Sequence, residues 1–260
     1  QVVVLSTEGS GSFQRGADLR GARFCNADLS AVDLRDADLR GCNLDGLRLR
    51  GADLRGAKLC DADLSAVDLR DADLRGADLR RVSGHGDCPD LTHVHAAGAD
   101  LRRAELSHAV AVKADFSGAD VEWADFDCAD LRGASFRDAY LRWGSTYLAI
   151  VPAVATVSFR GATLAGADFT GSCLPGAIFA EADMCSVRAE GAVLSGASFR
   201  NARLEATNLV GADLSRADFF RTRLFDADLT DASLVEARLV KTICDGASFA
   251  GALLCGTTFC

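Results

Sequence analysis

The sequence predicts an all-β solenoid that turns a corner every five residues. Three observations carry this. The phrase A-D-L-R-G stands at Ala17–Gly21, Ala52–Gly56 and Ala72–Gly76 and recurs, with substitutions, along nearly all of the 260 residues. Within each phrase a small and a large apolar residue sit two apart, as in Ala17/Leu19, Ala27/Leu29 and Ala37/Leu39, and that alternation puts both on one face of an extended backbone. The period is odd. A straight strand would flip each phrase to the opposite face, and a helix at 3.6 residues per turn would smear the pattern around its cylinder. Only a chain that bends once per phrase keeps these residues inward.

The elements follow in order. Residues 1–16 precede the register, and Val2–Leu5 can lay a capping strand over the first coil, a device solenoid ends need. The first run, 17–81, has centres at Leu19, Phe24, Leu29, Leu34, Leu39 and onward to Leu79. Val82–Cys88 (V-S-G-H-G-D-C) breaks the register and reads as a short protruding loop. The second run, 89–143, resumes at Pro89-Asp90-Leu91 and includes Leu101, Leu106, Phe116, Val121, Phe126, Leu131, Phe136 and Leu141. Gly144–Thr156 holds at least three extra residues, as a loop or as two poor phrases, Tyr147–Val151 and Pro152–Thr156. The third run, 157–260, carries Phe159, Leu164, Phe169, Leu174, Phe179, Met184 and onward to Phe259. Asn26–Leu44 and Asp61–Leu79 are near copies, and their spacing rotates the copy around the coil, so the first third reads as scaffold.

The phrase A-[DN]-L-x-x, held in register over most of the chain, resembles the pentapeptide repeat family. The resemblance implies a right-handed quadrilateral β-helix with one phrase per side. It implies one domain, 1–260, of about eleven coils, each about twenty residues, stacked into a rod of roughly 50 Å.

Composition narrows the function. Hydrophobic residues make up 49% of the chain, too many for disorder. No apolar run approaches the roughly 20 residues of a membrane span. Gln1–Phe13 lacks the basic start and long apolar stretch of a secretory leader, and a cytoplasmic location is expected. No two of the ten cysteines are placed to bridge neighbouring coils, so reduced thiols are expected. His85, Cys88, His93 and His95 are zinc-type ligands, but their spacing matches no standard site, and they read as a polar loop without metal. No nucleophile, phosphate-binding or zinc-protease motif is present, which argues for no enzyme and no cofactor.

The middle of the chain departs from this regularity. Asp115, Asp120, Glu122, Asp125, Asp127 and Asp130 fall within sixteen residues, with no Lys or Arg between Lys113 and Arg132. All take outward slots and are expected to form a solvated acidic band on a chain of net charge −9. Such a field attracts basic partners and repels nucleic acid. Trp123 and Trp143 are one coil apart on the same outer edge, Tyr140 stacks over Asp120, and these aromatics beside charge read as a protein-binding surface. At the far end Ile243 and Leu253 take slots where Asp usually sits. With Phe259 and Cys260 they mark an apolar end suited to an end-to-end homodimer. The resemblance extends to family members that mimic DNA and shield bacterial type II topoisomerases. It implies a DNA mimic that binds DNA gyrase and protects it from poisons. The alternative is a scaffold that presents the aromatic-acidic edge to a protein partner without mimicry.

Overall fold

The computed structural model describes residues 14–24, 27–84, 88–141 and 156–259. It is a four-sided coil in which every side contributes one rung to a parallel ladder. Asp18 pairs with Asp38, Asp38 with Lys58, and Lys58 with Asp78. The column continues through Asp100, Asp120, Tyr140, Cys173, Val193, Asp213 and Ser233 to Leu253. We call this the first side. The second runs from Asn43 to Thr258, the third from Asp28 to Ile243, and the fourth from Asp33 to Ser248. The first side has twelve rungs, one more than the about eleven coils expected from the sequence. Only Arg238–Leu239 (β1) and Thr258–Phe259 (β2) pair over two successive residues. Elsewhere the corners are too close together for longer strands.

Each letter of the phrase has a physical task. The Leu or Phe centre points to the axis and donates its N–H to the next coil, as Leu19 does to the Asp38 carbonyl at 2.9 Å. The small residue two before it fills the inner corner, and its N–H closes a tight turn on the preceding centre, as Ala22 does on Leu19 at 2.9 Å. The Asp rung accepts the one backbone N–H the coil leaves over, two residues on: Arg20 to Asp18 at 3.2 Å and Arg35 to Asp33 at 3.1 Å. The fifth position turns the corner in the left-handed region, where Gly21 has φ 72° and Gly56 φ 66°. Inside, Leu columns fill the first third, and fully buried phenylalanines take over from Phe116 to Phe219. Leu19, Leu39 and Leu79 lie in one buried column, as their spacing requires.

The Arg of the phrase neutralises its Asp. Arg55 grips both oxygens of Asp53 through its Nε and Nη2 and approaches Asp73, one coil on, at 3.6 Å. Arg35, Arg70 and Arg80 repeat the arrangement. Residues 14–84 hold thirteen Lys and Arg against thirteen Asp and Glu. These exposed pairs contribute little each to stability, but they cancel the field of the first third.

Both interruptions are resolved by register. Ser83 pairs with Asp63 below and Glu105 above, and Val82 is fully buried. The first run therefore extends beyond residue 81, and the extra residues enter only after Gly84. Gly84 stands where a centre Leu belongs; a Cβ there would meet the Glu105 carbonyl and the Pro89 ring at 3.2 Å. At the second interruption the first-side rung Tyr140 is followed on the second side by Ser158, which pairs with Asp125. Residues 142–155, on which the loop and two-phrase readings fall, lie outside the described residues. The expected cap at Val2–Leu5 lies outside the described residues.

Candidate protein-binding surface

The coil spreads the acidic band over all four sides. Asp115 is on the fourth, Asp120 and Glu122 on the first, Asp125 and Asp127 on the second, and Asp130 on the third. Asp115 and Asp130 therefore stand apart from the others. Asp130 is clasped by Arg132 at 2.6 and 2.8 Å, and that bond holds its pKa below the ordinary carboxylate range. Asp115 accepts the Ser117 N–H at 3.0 Å.

The structure brings Asp120, Glu122, Trp123 and Tyr140 together on the first side and its outer corner. Trp123 occupies the corner position at φ 63°, which aims its indole outward, and is 41% exposed. The Arg103 guanidinium, one coil below, lies 5.9 Å from the ring centre. Tyr140 is also 41% exposed, on the rung next to Asp120 as expected. Trp143 lies outside the described residues.

Two of the expected solvated acids are not solvated. Asp120 and Glu122 are each only 4% exposed. Asp120 lies 3.5 Å from Arg102 and accepts the Glu122 N–H at 3.3 Å. An outward slot sets direction, and accessibility is decided by what packs beside it. Asp125 is half-buried, and burial, reinforced by Asp127 and Glu105, raises its pKa. Asp127 accepts the Ser158 hydroxyl and the Arg160 N–H, the latter at 3.0 Å. It thus pins the coil where the chain re-enters, a structural task the sequence did not disclose. The sequence signal for Arg103 is its spacing of twenty residues, one coil, from Trp123.

The other candidates resolve simply. Among the described residues no cluster of three or more His, Cys, Asp or Glu could hold a metal. His93 faces Asp71 at 3.3 Å, His95 is a fourth-side rung, Cys88 is exposed, and His85 lies outside the described residues. Among the described residues eight cysteines are free thiols, with Cys42 and Cys60 buried. No helix of the described residues is long and apolar enough to cross a membrane. Around the last coil Ile243, Leu253, Leu254 and Phe259 are exposed, Leu253 by 61%, while Cys260 lies outside the described residues. Leu254 is exposed although its slot in the phrase is an inward one.

Comparison with known proteins agrees with this architecture. The pentapeptide repeats family model matches residues 15–46, 47–83, 90–122, 114–144 and, in overlapping copies, 157–259. No curated protein matches significantly. One similar solved structure is HetL, a pentapeptide repeat protein involved in heterocyst differentiation regulation from the cyanobacterium Nostoc sp. strain PCC 7120. It is 26% identical over 90% of this chain and 91% of its own, with a TM-score of 0.49. A pentapeptide repeat protein from the Arabidopsis thaliana thylakoid lumen is 33% identical over 38% of this chain and 65% of its own, at a TM-score of 0.26. QnrB1, a plasmid-mediated fluoroquinolone resistance protein, is 16% identical over 86% of this chain and 91% of its own, at a TM-score of 0.33. On the family match and the five-residue register, this chain belongs to the pentapeptide repeat family, whose fold is the right-handed β-helix.

Proposed function

We propose that this chain is a non-catalytic protein-binding rod whose working surface is the middle of the first side, around Trp123 and Tyr140. The observation that carries it is two aromatic side chains held outward on a rigid ladder, each 41% exposed. They lie within residues 88–141, which hold ten Asp and Glu against five Lys and Arg. Rigid aromatics lose little entropy on binding, and the acid excess favours a basic partner.

A more specific reading takes the partner to be DNA gyrase, protected from poisons by a DNA mimic. The acid excess of the middle coils supports it. The Arg–Asp ladders weigh against mimicry along the whole rod, because they leave the first third without net charge. A gyrase supercoiling assay with a quinolone tests this reading. Protection that falls with added salt and is lost in Trp123→Ala with Tyr140→Ala would support it; no protection at any concentration would leave the scaffold reading. Reversing Asp120 and Glu122 is unsuitable, since it would bury positive charge. A cytoplasmic site of action accompanies this reading. The apolar end formed by Ile243, Leu253 and Phe259 further suggests an end-to-end homodimer. Leu253→Asp with Phe259→Asp should convert it to a monomer in analytical ultracentrifugation; a wild-type monomer at micromolar concentration refutes the dimer.

A further inference from the structure

The coils between Ser198 and Gly246 carry the opposite charge on one edge. Where the second and third sides meet, these coils present six Lys and Arg against four Asp and Glu, in a chain of net charge −9. Three guanidinium groups surround the outward ring of Phe220: Arg200 at 4.7 Å, Arg238 at 4.8 Å and Arg221 at 5.2 Å from its centre. Arg200 and Arg238 share one carboxylate, Asp218, at 2.7 and 3.4 Å. Arg221 and Lys241 occupy successive corner positions, and neither makes an ion pair among the described residues. On the adjoining side the Phe225 ring carries Arg223 at 5.2 Å.

We propose that this edge binds a short acidic polypeptide segment. The ring of Phe220 holds three guanidinium groups in place before any ligand arrives. A forked donor already ordered loses less entropy when it takes a carboxylate. The two unpaired cations, Arg221 and Lys241, supply the charge that is not already spent. The edge spans three rungs, about 10 Å at the strand spacing, or three to four extended residues. A longer polyanion such as nucleic acid, running on along the second side, would meet Asp125 and Asp127 four rungs away. A short carboxylate-rich segment avoids them. This surface is separate from the Trp123 side and does not depend on the function proposed for it.

The test is fluorescence anisotropy with a labelled peptide of about four residues, alternating Glu and Asp. The full chain should bind it with a dissociation constant on the order of 10 µM at low salt, weakening as salt rises. Arg221→Glu with Lys241→Glu should lower affinity about tenfold or more, and the milder Arg221→Gln with Lys241→Gln should lower it in the same direction. Arg216→Glu, at a different corner, should leave it unchanged. No saturable binding, or wild-type affinity in both double variants, overturns the proposal. Displacement of the peptide by a single-stranded oligonucleotide of equal charge at lower concentration also overturns it, in favour of nucleic acid.

Discussion

Phe159, like Phe136, meets four other rings in the core, and its removal is the sharpest probe of what holds the coils together. It stacks on Phe126 at 5.4 Å and Phe179 at 5.0 Å, and meets Phe136 and Phe169 edge-on at 5.2 and 5.5 Å. Phe219 lies on the same side and is equally buried, but has one ring neighbour, Phe199, at 4.8 Å. Truncating either to Ala should cost the common transfer and cavity loss, about 3–5 kcal/mol. Phe159→Ala also forfeits three more ring contacts, each worth about 0.5–1.5 kcal/mol beyond burial. Phe159→Ala should therefore be the more destabilising by about 2 kcal/mol. Guanidinium unfolding followed by circular dichroism reads the difference. Amide exchange should show the loss concentrated in the coils beside Phe159, because each coil of a solenoid touches only its neighbours. Equal losses at the two sites, or a larger loss at Phe219, would refute the claim that the aromatic stack adds cohesion beyond apolar burial.

Other expectations follow from single residues. Leu54→Asp places a charge on a fully buried axis position and should unfold the surrounding coils, visible as lost exchange protection; an unchanged protein would contradict the coil register. Asp168 is buried, which alone would raise its pKa, but the hydrogen bonds from Thr170 and the ion pairs with Arg188 and Arg137 hold it at about 2. A depressed folded pKa gives stability that is present above the unfolded value and is lost as pH falls through the folded one. Asp168→Asn should thus cost about 2 kcal/mol at neutral pH, with the difference from wild type vanishing between about pH 4 and pH 2. Thr207, Thr222, Thr242 and Thr257 share an inner slot and donate to carbonyls one coil back at 2.6–2.9 Å, whereas the Ser172 hydroxyl, in the same slot and fully buried, has no hydrogen-bond partner among the described residues. Ser172→Ala should therefore raise stability by up to about 1 kcal/mol in thermal or chemical unfolding.

The repeat alone determined the coil. An odd period with a small and a large apolar residue two apart has one solution that buries both, so the inward columns and the stacking of Tyr140 over Asp120 could be read directly. The Asp–Arg alternation likewise announced its pairing, since both residues project from one short phrase. What the sequence could not decide was what lies beside a slot. Asp120 and Glu122 share the outward direction of Asp53 and Arg55 but are covered, and Asp127, one acid among six, is engaged in holding Ser158 and Arg160. The arginine ring around Phe220 comes from residues on three successive coils, whose phrases differ in wording. Direction follows from the local backbone, which five residues specify. Accessibility, charge cancellation and the meeting of residues about twenty apart depend on the coils above and below, which only the assembled solenoid sets.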